Sequence, residues 1–257
     1  MDAGFEQTML DTDALSKFFR RPGSRRGGKK MWCVPHLDQE FIARMEDVLR
    51  LYARRLDPTQ PVVCLDEKPL VLHGSKRAGR SARARPGQVA RRDYEYRRLG
   101  TANAYCIVEP LTGRRLTHAT PRRGYREFAH ALTKIAWRYK RAKIIHLVVD
   151  NLGIHCEKAC IATYGRRRGR ALWRRFRVHF TPKHGSWLNA AKMEVSLLSR
   201  ECLGRRRLPA LDIVTHEVRV WSREADRARR PIRWRFKVSD ARRKFRYSGI
   251  TTPRSKD

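Results

Sequence analysis

Two short apolar segments, each ending in aspartate, constrain the fold of this chain most strongly. Residues 61–67 (PVVCLDE) deliver Asp66, and residues 143–151 (KIIHLVVDN) deliver Asp150. Continuous Val, Ile and Leu runs of this length are typical of strands that helices bury on both faces. In open sheets of this kind the working crevice lies beyond the strand ends. The sequence therefore predicts an α/β fold in which Asp66 and Asp150 share one site if their strands are neighbours.

Such a pair of aspartates predicts a metal site, because Mg²⁺ prefers carboxylate oxygens as ligands. The alternative is that each aspartate only caps the end of its strand or the turn that follows. For one aspartate alone that alternative would be the better interpretation. Two strands of the same design favour the metal.

The segments between the two strands predict how the sheet is built. Residues 104–108 and 114–120 flank a Gly-containing connection of hairpin length, so an antiparallel hairpin should extend the sheet from the Asp66 strand. Apolar residues at helical spacing over 125–139 predict a helix that crosses over to the Asp150 strand. Similar patterns predict helices at 38–51, 157–164, 187–203 and 211–229, and a strand at 176–180.

The charge of the chain predicts a polyanionic partner. There are 59 Lys plus Arg against 25 Asp plus Glu, for a net charge of +34, and Arg outnumbers Lys 45 to 14. An arginine-rich genome would raise Arg everywhere but would not explain the deficit of acids. Residues 73–92 are basic and offer almost nothing apolar to bury, which predicts a loop that binds phosphates. DNA is the expected partner.

The remaining composition predicts a cytoplasmic protein without a membrane segment. No apolar run approaches the roughly 18 to 20 residues that span a bilayer, and the acidic N-terminal residues do not resemble a signal peptide. The six cysteines are scattered, so reduced thiols are expected.

Three motifs, in this order along the chain, resemble those of a known family. They are residues 64–67 (CLDE), 147–155 (LVVDNLGIH) and 180–189 (FTPKHGSWLN). The set resembles the DDE transposases of bacterial insertion sequences, in the branch related to mariner elements. The resemblance implies a ribonuclease H-like mixed sheet flanked by helices, two Mg²⁺ or Mn²⁺ ions, and a homodimer acting on DNA. It also implies phosphodiester hydrolysis at element ends, followed by attack of the 3′ hydroxyl on target DNA.

By this resemblance Asp66 and Asp150 are catalytic residues and metal ligands, which agrees with the needs of two-metal phosphoryl transfer. The family's third carboxylate falls three residues after Asn189, where this chain has Lys192. Glu194 is a catalytic candidate only through a shift of the helix, because two helical steps of about 100° turn it away from position 192. Two functions stay open. One is a transposase of insertion-sequence DNA that Lys192 impairs, and the other is a non-catalytic basic DNA-binding protein derived from a transposase.

The predicted domain organisation has four parts. A helix and basic linker occupy residues 1–30, a helical lead-in 31–58, the ribonuclease H-like DDE catalytic domain 59–247 and a tail 248–257. Family members carry helix-turn-helix units before the catalytic domain, and residues 1–58 show no convincing pair of short helices. The chain is therefore interpreted as an N-terminally truncated copy.

A structural zinc site is the remaining alternative. Cys156 and Cys160, with His179 and His184, have local spacings that resemble a zinc finger. The gap between the two pairs is longer than usual.

Overall fold

The computed structural model describes residues 37–76, 86, 94–204 and 206–248. At its centre is a five-stranded mixed sheet with the order β3-β2-β1-β4-β5. The strands are β1 Val62–Ser75, β2 Tyr96–Glu109, β3 Arg114–Thr120, β4 Ile145–Val149 and β5 Phe176–Phe180. The β1, β2 and β3 strands form an antiparallel meander, whereas β4 and β5 run parallel to β1.

Helices cover both faces of this sheet. They are α1 Gln39–Tyr52, α2 Tyr125–Arg138, α3 Glu157–Trp173, α4 Ala191–Leu197, α5 Leu211–Ala228 and α6 Val238–Phe245. A 3-10 turn at Ser186–Leu188 precedes α4, and a π-helical segment at Leu198–Leu203 continues it. In the part of the chain that the structure describes, no helix is long and apolar enough to cross a membrane. The predicted α/β class, with a mixed sheet flanked by helices, is confirmed.

The core is divided by the sheet because successive strand side chains point to opposite faces. Val63 and Leu65 of β1 pack under α2 and α3, against residues such as Phe128. Cys64 faces the other layer, where α1 contributes Met45. All five side chains are fully buried, and burying an aliphatic or aromatic side chain of this size contributes about 1.5–3 kcal/mol. The continuous apolar run of β1 thus reflects burial on both faces, as predicted.

The β1 and β2 strands are longer than the sequence predicted. Residues 73–75 were assigned to a loop, but β1 continues to Ser75 and β2 begins at Tyr96. The outer ends form a ribbon whose β2 side is exposed, so its residues lack the apolar run by which the inner strand was recognised. Backbone pairing holds this ribbon, and the amide of His73 donates to the carbonyl of Leu208 at 3.0 Å. The rest of the predicted phosphate-binding loop, apart from Lys76 and Pro86, lies outside the described residues, as do the predicted N-terminal helix and linker.

The α3 helix also runs beyond the predicted segment 157–164. Gly165 interrupts it with a non-helical backbone (φ 79°, ψ 164°) that favours glycine. After this break Gly169 packs so closely that a Cβ there would lie 2.6 Å from the backbone of Cys160. Two glycines therefore join two helical pieces. The second piece was not predicted because the arginines between the glycines interrupt the apolar periodicity.

Two histidines are held in environments that disfavour their charged form. His146 is buried on β4, where its Nδ1 lies 2.9 Å from Nε2 of His179, and Arg54 Nη1 lies 2.6 Å from its Nε2. Burial, followed by the charges of His179 and Arg54, lowers the pKa of His146 to about 4. On β3, burial lowers the pKa of His118 to about 3.

We expect these two histidines to make the fold sensitive to mild acid. Below pH 6.5 these histidines bind protons in the unfolded chain but stay neutral in the folded one. The free energy of unfolding therefore falls as pH decreases toward 4. Each histidine can lower the free energy of unfolding by up to about 1.4 kcal/mol per pH unit. Urea unfolding at pH 7 and pH 5 should show the loss, and His146→Gln should remove about half of it. The same substitution at exposed His216 is the control, and an unchanged pH slope in His146→Gln would contradict the expectation.

Candidate active site at the ends of β1 and β4

The parallel pairing of β1 with β4 places the ends of the two strands that carry the predicted aspartates side by side. Val62 pairs with His146 and Cys64 with Val148, so Asp66 and Asp150 each stand two residues beyond this paired part. Both strands run in the same direction, and both aspartates therefore lie toward the same edge of the paired region. Asp66 is buried, and the side chain of Asp150 is 33% exposed. The predicted adjacency of the two strands is confirmed.

Lys192 occupies the space beside these carboxylates. Its Nζ donates to Oδ2 of Asp66 at 2.9 Å, while Oδ1 of Asp66 accepts from the amide of Glu67 at 2.9 Å. The pKa of Asp150 is lowered, chiefly by its hydrogen bond from His155 and to a smaller extent by the charge of Lys192. An ammonium group thus lies where both aspartates feel its charge.

The start of α4 fixes Lys192 in this place. Asn189 is buried, and its Nδ2 donates to the carbonyl of Leu65 at 2.8 Å, directly before Asp66. The Oδ1 of Asn189 accepts from the amide of Ala191 at 3.0 Å and satisfies one of the free donors at the helix start. Asn189 therefore attaches α4 to β1 and directs the first turn of the helix at Asp66.

Glu194 lies on the other side of α4, and the structure does not bring it to Asp66 and Asp150. Both of its carboxylate oxygens accept from Nε of Arg115 on β3, each at 2.9 Å. The two side chains are 0% and 4% exposed. Burial raises the pKa of Glu194, and the charge of Arg115 opposes that shift. The helix shift that made Glu194 a catalytic candidate is absent, because this buried ion pair holds Glu194 against β3.

Two further residues at the site were not given a role from the sequence. His155 is fully buried, and its Nε2 lies 2.9 Å from Oε1 of Glu67. Its Nδ1 lies 3.0 Å from the carbonyl oxygen and 3.1 Å from Oδ1 of Asp150. Burial opposes the charge on His155, but the hydrogen bonds to Asp150 and Glu67 outweigh it and raise the pKa to about 10. Both residues stand within the recognised motifs, which was the signal available.

Among the described residues, Glu67, Asp150 and His155 form the one group of three or more potential metal ligands within 4.8 Å of one another. The alternative zinc site is not assembled. Cys160 packs in the core on the α2 side of the sheet, whereas Nδ1 of His179 lies 2.6 Å from Oδ2 of Asp47 on α1.

Comparison with protein families identifies the family to which this chain belongs. Residues 61–214 match the family model described as DDE superfamily endonuclease, which is more than half of the chain. The chain therefore belongs to the DDE superfamily endonucleases. No curated protein sequence matches it significantly.

Solved structures of the Mos1 transposase are similar in fold at low identity. The Mos1 mariner paired-end complex with Mn aligns with 17% identity and a TM-score of 0.48, over 86% of this chain and 68% of that one. The paired-end complex with the left transposon end aligns with 16% identity and a TM-score of 0.45, over 86% of this chain and 66% of that one. The Mos1 strand transfer complex aligns with 16% identity and a TM-score of 0.47, over 84% of this chain and 64% of that one. This chain spans about two thirds of the length of these chains.

Because Glu194 is part of a buried ion pair, we expect Glu194→Gln to destabilise the fold by on the order of 3 kcal/mol, since the charge of Arg115 loses its partner. Urea unfolding measures the change. The matched control is Glu217→Gln, which breaks a half-exposed pair with Arg206 and should cost less than about 1 kcal/mol. Equal effects of the two substitutions would show that the pair with Arg115 does not contribute as its burial implies.

Proposed function

We propose that this protein is a DDE transposase of insertion-sequence DNA whose nuclease step is weakened by Lys192. Residues 59–247 serve as its catalytic domain, and it acts as a homodimer on DNA in the cytoplasm. The observation that carries the proposal is the arrangement at the strand ends. Asp66 and Asp150 stand two residues beyond the paired part of two neighbouring parallel strands in a DDE endonuclease domain, and an ammonium group is bonded to Asp66 at 2.9 Å.

The two aspartates fit a divalent metal ion by their chemistry. They are carboxylates at the ends of two paired parallel strands, and the Oδ2 atom of Asp66 has no partner among the described residues other than the side chain of Lys192. Asp66 and Asp150 would hold Mg²⁺ or Mn²⁺, which when bound polarises a phosphate and activates the attacking oxygen. Position 192 offers no third carboxylate, and Glu194 is held elsewhere. The chain is therefore equipped for one ion better than for two.

Lys192 acts against metal binding in two ways. Its ammonium competes for Asp66, and its charge repels a cation near Asp150. The same charge favours a phosphate at the mouth of the site. Lys192 should therefore weaken cleavage while leaving DNA binding intact, and the net charge of +34 supports that binding.

A non-catalytic DNA-binding protein derived from a transposase is the second candidate. The 2.9 Å contact between Lys192 and Asp66 favours it, since a permanent ion pair would leave no place for a metal. The two candidates share the fold and the charge. They differ in whether the unaltered protein nicks DNA in the presence of Mg²⁺.

We expect Lys192→Glu to raise Mg²⁺-dependent DNA cleavage by at least about tenfold, because it removes the competing ammonium and supplies a third carboxylate. Cleavage of a supercoiled plasmid, with Asp66→Asn added to Lys192→Glu as the inactive reference, measures this. Lys192→Gln is the matched control, since it removes the charge without adding a ligand and should produce a smaller increase.

Glu194→Gln in the native background should leave cleavage almost unchanged below its unfolding temperature. The proposal fails if the unaltered protein already cleaves efficiently and Glu194→Gln abolishes that activity. Glu194 would then be the third ligand in spite of its pairing with Arg115.

DNA binding should depend steeply on salt and little on sequence. Each neutralised phosphate releases counterions and adds about −0.9 to the slope of log affinity against log salt. Fluorescence anisotropy on a short duplex should show affinity falling by on the order of a thousandfold between 50 and 200 mM salt. Lys192→Glu should keep nearly the same slope, because it changes one charged position among many. Affinity independent of salt would contradict the electrostatic account.

A further inference from the structure

The sheet alone does not explain how Asp150 is held in place, because β4 ends one residue before it. The last sheet hydrogen bond of β4 runs from the amide of Thr181 to the carbonyl of Val149 at 3.0 Å. Beyond that point the strand ladder no longer determines the backbone. The carboxylate of Asp150 is one third exposed, and the amide of Leu152 donates to its Oδ1 at 3.1 Å.

His155 supplies the contacts that the ladder lacks. Its Nδ1 reaches the carbonyl oxygen of Asp150 at 3.0 Å and Oδ1 of the same residue at 3.1 Å. One imidazole nitrogen thus binds both the backbone and the side chain of the residue. The ring of Phe128 packs against the imidazole with centroids 4.7 Å apart, and His155 has no exposed side-chain surface.

Glu67 holds the other end of the ring. It follows Asp66 on β1 and points to the opposite face of the sheet, where its Oε1 lies 2.9 Å from Nε2 of His155. The acceptors at both ends are oxygen atoms of a carbonyl and of carboxylates, so both ring nitrogens donate. In the group of Glu67, Asp150 and His155, the histidine is therefore a cation between two acids. It joins the end of the β4 strand to β1.

We propose that His155, held by Glu67, is a positioning residue that fixes the carboxylate of Asp150 at the end of β4. The proposal deepens the proposed function and rests on it only where Asp150 is given a part in the chemistry. The placement of Asp150 itself can be tested without any nuclease activity.

Two substitutions at position 155 separate positioning from packing. The amide nitrogen of asparagine falls near the place of Nδ1, so His155→Asn can keep the bond to Asp150 and lose Glu67. The amide nitrogen of glutamine falls near the place of Nε2, so His155→Gln can keep Glu67 and lose Asp150. Both replace an aromatic ring by an amide in the same pocket, which makes them matched controls for lost packing against Phe128.

Hydrogen exchange of the Leu152 amide reports the carboxylate directly, because this amide donates to Oδ1 of Asp150 at 3.1 Å. We expect exchange at Leu152 to become at least about tenfold faster in His155→Gln and to change less than about threefold in His155→Asn. Amides within β4, such as that of Leu147, should respond alike in both variants. Equal acceleration at Leu152 in the two variants, or none in either, would overturn the proposal.

The consequence for metal binding is measured in the Lys192→Glu background by Mn²⁺ titration. Loss of a residue that orients a ligand typically lowers metal affinity 10- to 100-fold, so His155→Gln should bind Mn²⁺ correspondingly more weakly than His155→Asn. Equal Mn²⁺ affinities would overturn the functional part of the proposal. If Lys192→Glu cleaves no DNA while the exchange pattern holds, the proposed nuclease fails and the positioning role stands.

Discussion

The parallel pairing of β1 with β4 is the constraint on which the rest of this structure depends. Parallel neighbours cannot be joined by a tight turn, so the chain needs a long crossover, and here the hairpin of β2 and β3 followed by α2 provides it. Both strands are buried on both faces, which requires continuous apolar runs and helices in two layers. The pairing also places Asp66 and Asp150 toward the same edge of the paired region.

Glu67 lies close to Asp150, and a neighbouring carboxylate would normally raise the pKa of Asp150, yet that pKa is lowered. The reason is that the chain supplies two cations at the site. His155 contacts Glu67 and Asp150, and Lys192 contacts Asp66. Three carboxylates thus face two positive side chains, and these side chains account for most of the lowering of the pKa of Asp150.

The sequence predicted those parts of the structure that depend on local pattern. Apolar runs and helical spacing predicted the two central strands, the hairpin and α2, and the motif spacing assigned Lys192 to the family's third carboxylate position. The pair of Glu67 with His155 was missed because these residues are 88 positions apart and no periodicity links them. Arg115 and Glu194 are similarly 79 positions apart, and the outer ribbon of β1 and β2 depends on backbone pairing rather than on an apolar face.

The two charged residues of α4 contact different strands of the sheet. Lys192 bonds Asp66 on β1, whereas Glu194 bonds Arg115 on β3, and Asn189 attaches the helix start to Leu65. A rotation that carried Glu194 to the aspartates would break a buried ion pair, which costs about 3–5 kcal/mol, and would also release Asn189. The helix is therefore held in its present orientation by contacts that do not involve Lys192. From α4, a carboxylate can reach Asp66 at position 192 and not at position 194, so the chemistry of the site depends on that one side chain far more than its stability does.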